Sequence, residues 1–253
     1  MPLPYETESN RPGEVPPLRL GVVLLQTDEI IEAEFPKLLG AEGVRVHYSR
    51  VPNAREVTPA GLAAMEAALP TAVGLLPPAV PFDVIAYACT SGSTVIGEAR
   101  VAEAIRGVRP GVAVSNPLTA AKAALAALKL KRIGFVTPYI EEVSAAMRDH
   151  LAGAGFDTVS FGSFEVVDDA TVAAMTPDCI LAAALEVGAA ADCEGVFIAC
   201  TNLRAAGIIE AAEAKLGKPV ICSNQALAWH MLRLAGDIEP RGGRGALFLR
   251  GLD

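Results

Sequence analysis

The chain has 253 residues, enough to bury a sizeable core as one large domain or as two smaller halves. Its formal net charge of -8 argues against a non-specific nucleic-acid or membrane-surface role, because such partners require a basic surface. No apolar run approaches the roughly 20 residues that span a bilayer, and no basic segment followed by an apolar one opens the sequence, so a cytoplasmic protein is predicted.

Residues 1–17 carry five prolines among polar residues and are predicted to form an extended arm outside the core. Beyond them, short β-branched runs alternate with Ala- and Leu-rich amphipathic segments, a pattern typical of a parallel sheet with helices on both faces. The predicted strands are Leu20–Leu25, Val44–Tyr48, Val84–Ala88, Val112–Val114, Ile133–Val136, Thr158–Phe161, Val196–Ala199 and Val220–Cys222. The predicted helices are Ala60–Leu69, Thr94–Ile105, Thr119–Leu128, Glu141–Ala152, Cys179–Ala191 and Ala205–Leu216.

The sequence repeats itself after about 110 residues. RLGVV at 19–23 recurs as RIGFV at 132–136, DVIAYACT at 83–90 recurs as EGVFIACT at 194–201, and VSN at 114–116 recurs as CSN at 222–224. We therefore predict two pseudo-symmetric α/β halves of Rossmann-like or flavodoxin-like type, residues 18–116 plus 225–253 and residues 117–224. Ligands of parallel sheets bind beyond the carboxyl ends of the strands, so the active site is expected in the cleft between the halves.

Two of the five cysteines occupy equivalent positions of this repeat. Cys89 and Cys200 each follow a buried strand and precede a turn of small or polar residues that leads towards a helix. At such a place the backbone N–H groups and the helix dipole are expected to lower the pKa of the thiol. Burial alone does not require cysteine at equivalent places, so we predict that this pair is catalytic. The other cysteines, with no CxxC spacing, are predicted to be inert free thiols: Cys179, Cys193 and Cys222.

Polar residues at the same strand ends are the candidates for binding a substrate. Tyr139 can donate a hydrogen bond to a carboxylate or an enolate oxygen. Asp28 either contacts the substrate or caps a helix that begins near Glu29. The remaining candidates are Gln26 after the first strand, Thr90 and Ser91 after Cys89, and Thr201 and Asn202 after Cys200.

Other chemistries lack their sequence patterns. The first predicted strand leads into Leu24-Leu25-Gln26-Thr27-Asp28 instead of a Gly-rich dinucleotide fingerprint, and there is no Walker motif. A Ser-His-Asp triad has no Gly-x-Ser-x-Gly elbow, and the three histidines, at positions 47, 150 and 230, are predicted to be structural or solvated. We therefore expect no cofactor and no metal.

The paired cysteines on a duplicated scaffold resemble the aspartate/glutamate racemase superfamily. Within it, the segments around Cys89, Tyr139 and Cys200 look like those of maleate cis-trans isomerases, and the resemblance extends from about Leu18 to Trp229. It implies that Cys200 is the nucleophile that adds to a double bond and that Cys89 is the facing acid/base thiol. It also implies that Tyr139 and the turn at 90–91 hold carboxylates, and that no cofactor is needed.

The chain departs from the isomerase pattern at two positions. Where that pattern carries carboxylate-binding asparagines, this sequence has Asp28 and Asp169. An anion beside a substrate carboxylate is unfavourable unless the aspartate is protonated or the ligand carries a cation. Asp28 with its preceding threonine resembles the ectoine-utilisation A branch, whose pathway handles amino-bearing acids. The hypothesis is an ammonium group in contact with both aspartates.

Three classes of function stay open at this point. An isomerase is favoured, and the same two thiols serve either cis-trans isomerisation or racemisation. A malonate-type decarboxylase is the second class, although the arylmalonate decarboxylases that the chain resembles have a small residue in place of Cys89. A non-catalytic module that binds small carboxylates is the third. The expected partner is a small carboxylate, and Ala-rich helices favour a homodimer.

Overall fold

A computed structural model describes residue 3 and residues 16–40 and 43–252 of the protein. The predicted arm at 1–17 lies outside the described residues except for positions 3, 16 and 17. The strands in the described ranges are β1 Leu18–Leu25, β2 Val44–Val51, β3 Val84–Ala88, β4 Ala113–Ser115, β5 Arg132–Thr137, β6 Asp157–Ser163, β7 Gly195–Ile198 and β8 Val220–Cys222.

These strands form two parallel sheets of the same topology. The order is β2-β1-β3-β4 in the first sheet and β6-β5-β7-β8 in the second. The shared order confirms the predicted pair of pseudo-symmetric α/β halves. In both sheets the inner strands β3 and β7 are buried along their whole length, as expected for strands covered on both faces.

Ten α-helices connect and cover the strands in the described residues. Their bounds are α1 Ile31–Leu39, α2 Pro59–Gly74, α3 Thr90–Ile96, α4 Glu98–Val108, α5 Pro117–Ala127, α6 Glu141–Gly153, α7 Asp169–Ala173, α8 Pro177–Gly188, α9 Ile209–Leu216 and α10 Ser223–Leu234. Two 3₁₀ turns lie within the same described ranges, at Ala206–Ile208 and Ala246–Leu249. None of these helices is long and apolar enough to cross a membrane.

The helix predicted at Ala60–Leu69 is longer in the structure, where α2 extends to Gly74, and two other predicted helices are interrupted or begin differently. The helix predicted at Thr94–Ile105 is in fact α3 and α4, separated by Gly97 with a φ of 92° that glycine adopts without strain. The helix predicted from Ala205 begins with the 3₁₀ turn, and α9 starts only at Ile209. Helix α3 therefore starts directly behind β3 and ends after seven residues, close to the end of the strand.

Helices that follow the last strand of each sheet join the two halves. Helix α10 packs against α5 and α1 and also contacts β3 and β4 of the first sheet. A second connection is made by loops, where Val57 N donates to Val167 O at 3.0 Å and Asp169 N donates to Arg55 O at 3.3 Å. The carboxyl ends of the two sheets are thus held together. The division of the chain at positions 117 and 225 stays a prediction.

Candidate active site

Cys89 lies at the end of β3 and caps helix α3. Its Sγ accepts the Gly92 N–H at 3.2 Å and lies 3.6 Å from Ser91 Oγ. Only 4% of the residue is exposed. Gly92 is required by close packing, because a Cβ there would lie 2.3 Å from Tyr87 Oη and 3.0 Å from the Cys89 Sγ. The strand, the cap and the glycine together fix the position of this thiol.

Cys200 follows β7 in a different local structure. Its φ is +120°, which a residue with a side chain rarely adopts and which costs about 1–3 kcal/mol. The Cys200 N–H donates to Ser223 Oγ at 3.0 Å, and its Sγ accepts the Asn202 N–H at 3.3 Å. A turn follows and leads to the 3₁₀ turn at Ala206–Ile208, so Cys200 precedes a turn as predicted but does not cap a helix as Cys89 does. Strain held by surrounding contacts is typical of functional sites.

The prediction that the fold lowers the pKa of these thiols was also wrong. Burial raises the pKa of Cys89 to about 11, although hydrogen bonds from Ser91 and Gly92 oppose the rise. Burial, followed by the charge of Asp169, raises the pKa of Cys200 well above its ordinary value. The cost of burying a thiolate thus exceeds the help from a nearby helix N-terminus. Both thiols are protonated at neutral pH in this structure.

Tyr139, which follows β5, connects the two thiols. Its side chain is buried, and its hydroxyl interacts with Cys200 and Ser91 and lies in the electrostatic field of Cys89. Burial and then the two thiols raise the pKa of Tyr139 well above its ordinary value. The phenol therefore keeps its proton and remains a hydrogen-bond donor. Cys89, Ser91, Tyr139 and Cys200 form one cluster, which we call the thiol cluster.

Asp28 binds the first N–H groups of α1 and borders the thiol cluster. Its Oδ1 accepts the N–H groups of Ile30 and Ile31 at 2.9 Å each, but Ile30 is the N-cap residue and α1 begins at Ile31, so the prediction that Asp28 is the N-cap of a helix beginning near Glu29 was wrong. Its Oδ2 is buried and has no hydrogen-bond partner among the described residues. Burial raises the pKa of Asp28 against the hydrogen bonds from the Ile31 and Ile30 N–H groups, and the charge of Asp169 adds to the rise.

Asp169 stands at the start of α7 and acts on both thiols. Its carboxylate accepts a hydrogen bond from Thr27 Oγ1, and its backbone oxygen accepts one from Asn202 Nδ2 at 3.0 Å. The charge of Asp169 contributes to the raised pKa of Cys89 and of Cys200. The short helix α7, absent from the predicted elements, thus delivers a carboxylate to the cleft.

Two threonines tie the halves together beside the thiols. Thr90 Oγ1 lies 2.8 Å from Ser223 Oγ, which in turn accepts the Cys200 N–H. In the other direction, Thr201 Oγ1 donates to Ala88 O at 3.3 Å. Both threonine hydroxyls thus contact protein groups and position the strand ends. Ser223 belongs to the repeated CSN segment, which is the sequence signal that marks it, but we did not predict it as a site residue.

Asn202 connects the loops around the site, whereas the exposed Gln26 side chain does not reach it. The Asn202 amide spans the cleft, since its Oδ1 accepts the Glu29 N–H at 2.9 Å while its Nδ2 bonds Asp169 O. Gln26, predicted to bind substrate, is exposed, and no hydrogen bond joins its side chain to the thiol cluster or to the aspartates within the described ranges. Thr27 reaches Asp169 instead, because it is the next residue of the turn that points inward.

A cavity of about 520 Å³ lies between α1 and the segment 204–210, and neither Cys89 nor Cys200 lines it. Its lining includes Glu34, whose carboxylate accepts from Asn224 Nδ2 at 2.8 Å and from Ala206 N at 3.0 Å. Burial raises the pKa of Glu34 to about 7. Asn224 also donates to Thr201 O at 2.8 Å, so this network supports the turn behind Cys200. No group of three or more metal-binding side chains occurs in the part of the chain that the structure describes.

Two duplicated parallel sheets with a buried thiol at the same strand end of each define a two-thiol α/β scaffold. A family model described as arylmalonate decarboxylase matches residues 80–248, a stretch that contains both thiols. The chain belongs to this family, and the resemblance to the aspartate/glutamate racemase superfamily is confirmed.

Maleate isomerases are among the similar proteins. The chain is 30% identical over 226 residues to the maleate isomerase of Nocardia farcinica, covering 85% of this chain and 89% of that protein. It is 29% identical over 247 residues to the maleate isomerase of Pseudomonas putida, covering 90% and 96%. A solved structure of the Nocardia farcinica maleate cis-trans isomerase, a cysteine-to-serine mutant with a covalently bound succinylcysteine intermediate, superposes with a TM-score of 0.84 at 27% identity over 91% of this chain and 98% of that one.

Proposed function

We propose that the protein is an isomerase of a small carboxylate that uses Cys89 and Cys200 as catalytic residues and needs no cofactor. The observation that carries the proposal is the pair of buried thiols at equivalent strand ends of the two sheets, which hydrogen bonds join: Thr90 Oγ1, next to Cys89, lies 2.8 Å from Ser223 Oγ, and Ser223 Oγ accepts the Cys200 N–H at 3.0 Å. The thiols come from different sheets, so they approach a bound molecule from different sides. The similarity to maleate isomerases supports this assignment.

The same thiols serve two closely related reactions. In cis-trans isomerisation, the thiolate of Cys200 adds to one alkene carbon, and the electron pair of the double bond moves to the neighbouring carbon and its carboxyl group. The resulting single bond rotates, and expulsion of the thiolate restores the double bond in the trans form. The covalent succinylcysteine of the Nocardia relative is the kind of adduct that such an addition gives.

In racemisation, a thiolate on one face takes the proton from Cα while the C–H electron pair moves into the carboxyl group. The thiol on the other face then returns a proton to Cα, so the configuration is inverted and no atom is gained or lost.

The hydroxyls of the thiol cluster are suited to hold the substrate carboxylate. Ser91 lies beside the Cys89 Sγ, and the high pKa of Tyr139 keeps its phenol a donor. Charge that develops on a carboxyl oxygen during either reaction is stabilised by such fixed donors. Asp28, Asp169, Thr90, Thr201 and Asn202 complete the proposed site by contact or by positioning.

Proton NMR in deuterated water tests the proposal without any added cofactor. Maleate and a set of amino acids are incubated with the wild-type protein and with Cys200→Ser as a matched background. Fumarate without exchange indicates cis-trans isomerisation, and deuterium at Cα with inversion indicates racemisation. The proposal is wrong if neither occurs, or if Cys200→Ser is as active as the wild type.

A decarboxylase is the second candidate, because the matching family model carries that description. Both classes would use a thiol to protonate a carbanion next to a carboxyl group. Release of carbon dioxide from phenylmalonate distinguishes them, and we expect none. We expect none because the chain has Cys89 as a second thiol, which inversion requires and decarboxylation does not.

We also propose a cytoplasmic location and a homodimer. The five cysteines are free thiols in the structure, which is usual in a reducing compartment. Size-exclusion chromatography with light scattering measures the oligomeric state.

A further inference from the structure

One carboxylate outside the thiol cluster reaches the turn that follows Cys200. Glu34 lies on α1, which follows β1 of the first sheet, and its Oε1 accepts the Ala206 N–H at 3.0 Å. Its Oε2 accepts Asn224 Nδ2 at 2.8 Å, and the same nitrogen donates to Thr201 O at 2.8 Å. The turn follows β7 of the second sheet, so Glu34 joins elements of both sheets behind the second thiol.

The Asn224 side chain is the link between Glu34 and this turn. Both acceptors, the Glu34 carboxylate and Thr201 O, bind Nδ2, whereas Oδ1 is buried with no partner among the described residues. The internal repeat provides a contrast, because the equivalent Asn116 uses its side chain to cap α5. Helix α10 is capped by Cys222 instead, so the amide of Asn224 is free to make the bridge.

Protonation of Glu34 opposes this arrangement. Each of its carboxylate oxygens accepts from a donor, so a proton on either oxygen weakens a charge-assisted hydrogen bond. A proton on Oε2 would face the Asn224 N–H, and it would find an acceptor if the amide turned over and brought Oδ1 to that place. The turned amide would then present an oxygen to Thr201 O, which would lose its donor. The amide therefore has two arrangements, and the charge of Glu34 selects between them.

Glu34 changes its charge close to neutral pH. Burial raises its pKa to about 7 against the hydrogen bonds from Asn224 and Ala206; the charge of Asp28 adds to the rise and that of Lys37 opposes it. Glu34 is half-buried and lines the cavity of about 520 Å³, so solvent protons reach it. The other titratable or charged groups around it are Cys222, which caps α10, and the side chains along the same cavity, Glu29, Arg204, Glu210 and Arg244.

We propose that ionised Glu34 is a positioning residue for Cys200, acting through the Asn224 amide, and that its protonation releases the turn. This inference rests on the proposed two-cysteine function and adds a pH-dependent control to it. Thr201 is the direct neighbour of Cys200, whose φ of +120° is kept by the contacts around it. Loss of the donor at Thr201 O lets this backbone relax, so the isomerase should be more active above pH 7 than below it.

An NMR titration of the full-length wild type tests the link without any substrate. Carbon-13 signals of the glutamate carboxyl groups are followed against pH, and Glu34→Gln identifies the signal of Glu34. We expect a midpoint near pH 7. The side-chain amide of Asn224 and the backbone amides of Cys200 and Asn202 should shift with the same midpoint. Amide signals that stay constant through the titration, or a midpoint below about pH 5.5, would overturn the proposal.

The ratio of the kcat of the wild type to that of Glu34→Gln isolates the effect on turnover. The ionisation of the thiols cancels in this ratio because both proteins share it. Glutamine has the size of glutamate and stays neutral, so the variant mimics the protonated form. We expect a ratio of about 10 above pH 8 and below about 2 at pH 5.5, since loss of a hydrogen bond to a charged group has an effect of the former size. A ratio that is independent of pH would show a merely structural role and refute the proposal.

Two variants serve as controls for this kinetic test. Glu210→Gln makes the same chemical change at an exposed carboxylate of the same cavity, and its kcat should equal that of the wild type within about twofold at every pH. Asn224→Ala removes the link, so Glu34→Gln should change kcat by less than about threefold in that background. A tenfold loss there would contradict the role of the amide.

Failure of the broader function has a different signature. A wild type with no isomerisation at any pH, but with amide signals that follow Glu34, would refute the two-cysteine function and support the link to Cys200. Isomerisation with a ratio that is independent of pH would support the two-cysteine function and refute the link.

Discussion

Ser223→Ala tests how the strained backbone of Cys200 is held. Ser223 is fully buried, accepts the Cys200 N–H at 3.0 Å, and lies 2.8 Å from Thr90 Oγ1. Alanine leaves both groups without this partner, at about 1–3 kcal/mol for each buried group. The φ of +120° at Cys200 adds its own cost of about 1–3 kcal/mol. We therefore expect the Cys200 backbone to relax and to carry its thiol away from Tyr139.

The expected result is a large effect on turnover. Misplacement of a reacting group by about 1 Å lowers the rate about 100-fold, so kcat should fall by that factor. KM should change by less than about threefold, because Ser91 and Tyr139, the proposed donors to the substrate carboxylate, are untouched. The free energy of unfolding should fall by about 2–6 kcal/mol, measured by urea denaturation.

Ser115→Ala is the matched control given by the internal repeat. Ser115 ends β4 as Ser223 follows β8, is equally buried, and lies 2.8 Å from His230 Nδ1. Its substitution should destabilise the protein by about 1–3 kcal/mol but change kcat by less than about threefold. Equal losses of kcat in the two variants would show that turnover follows general stability, and the positioning role of Ser223 would be refuted.

Three further changes have defined outcomes. Gly92→Ala should abolish turnover and lower Tm, because the added Cβ would lie 2.3 Å from Tyr87 Oη. Gly107→Ala is the control, since a Cβ there has nothing within 4 Å, and it should change neither the rate in a turnover assay nor the Tm in a thermal melt. Tyr139→Phe should lower kcat/KM about 100-fold with an unchanged circular dichroism spectrum, and a loss below about threefold would contradict its role as donor. Burial lowers the pKa of His230 from 6.5 to about 4, so the unfolded chain takes up the proton first as the solution is acidified. The free energy of unfolding should therefore fall by up to roughly 3 kcal/mol as the pH is lowered from about 6.5 to 4. His230→Gln should flatten this pH dependence in urea titrations.

The internal repeat made most of the fold predictable. Strands β3 and β8 have the predicted bounds, and the recurrence of one sequence pattern in both halves correctly implied one strand order used twice. An apolar run in the sequence predicts a buried strand well, because burial along a strand depends on the residues of that strand itself. The break at Gly97 was missed because an apolar helical pattern continues across it, while the glycine's backbone angle is set by packing.

The sequence predicted which residues form the candidate site better than it predicted the pKa of its thiols. The sequence pointed to Cys89 and Cys200, and the structure places both beside Tyr139. It indicated the wrong direction for the thiol pKa, because the cost of burial depends on side chains that are distant in sequence. Gln26 and Thr27 illustrate a second limit, since the backbone of a tight turn decides which of two neighbours faces the cleft.

Activity of single cysteine variants tests the central claim most directly. The rate of substrate conversion is measured by NMR for Cys89→Ser and Cys200→Ser, with Cys193→Ser as the control for a buried thiol that bonds Gly195 O at 3.2 Å. Two catalytic thiols predict losses of about 1,000-fold or more in the first two variants and a change below about threefold in the control. Conversion at near wild-type rates by either Cys89→Ser or Cys200→Ser would contradict the two-thiol mechanism.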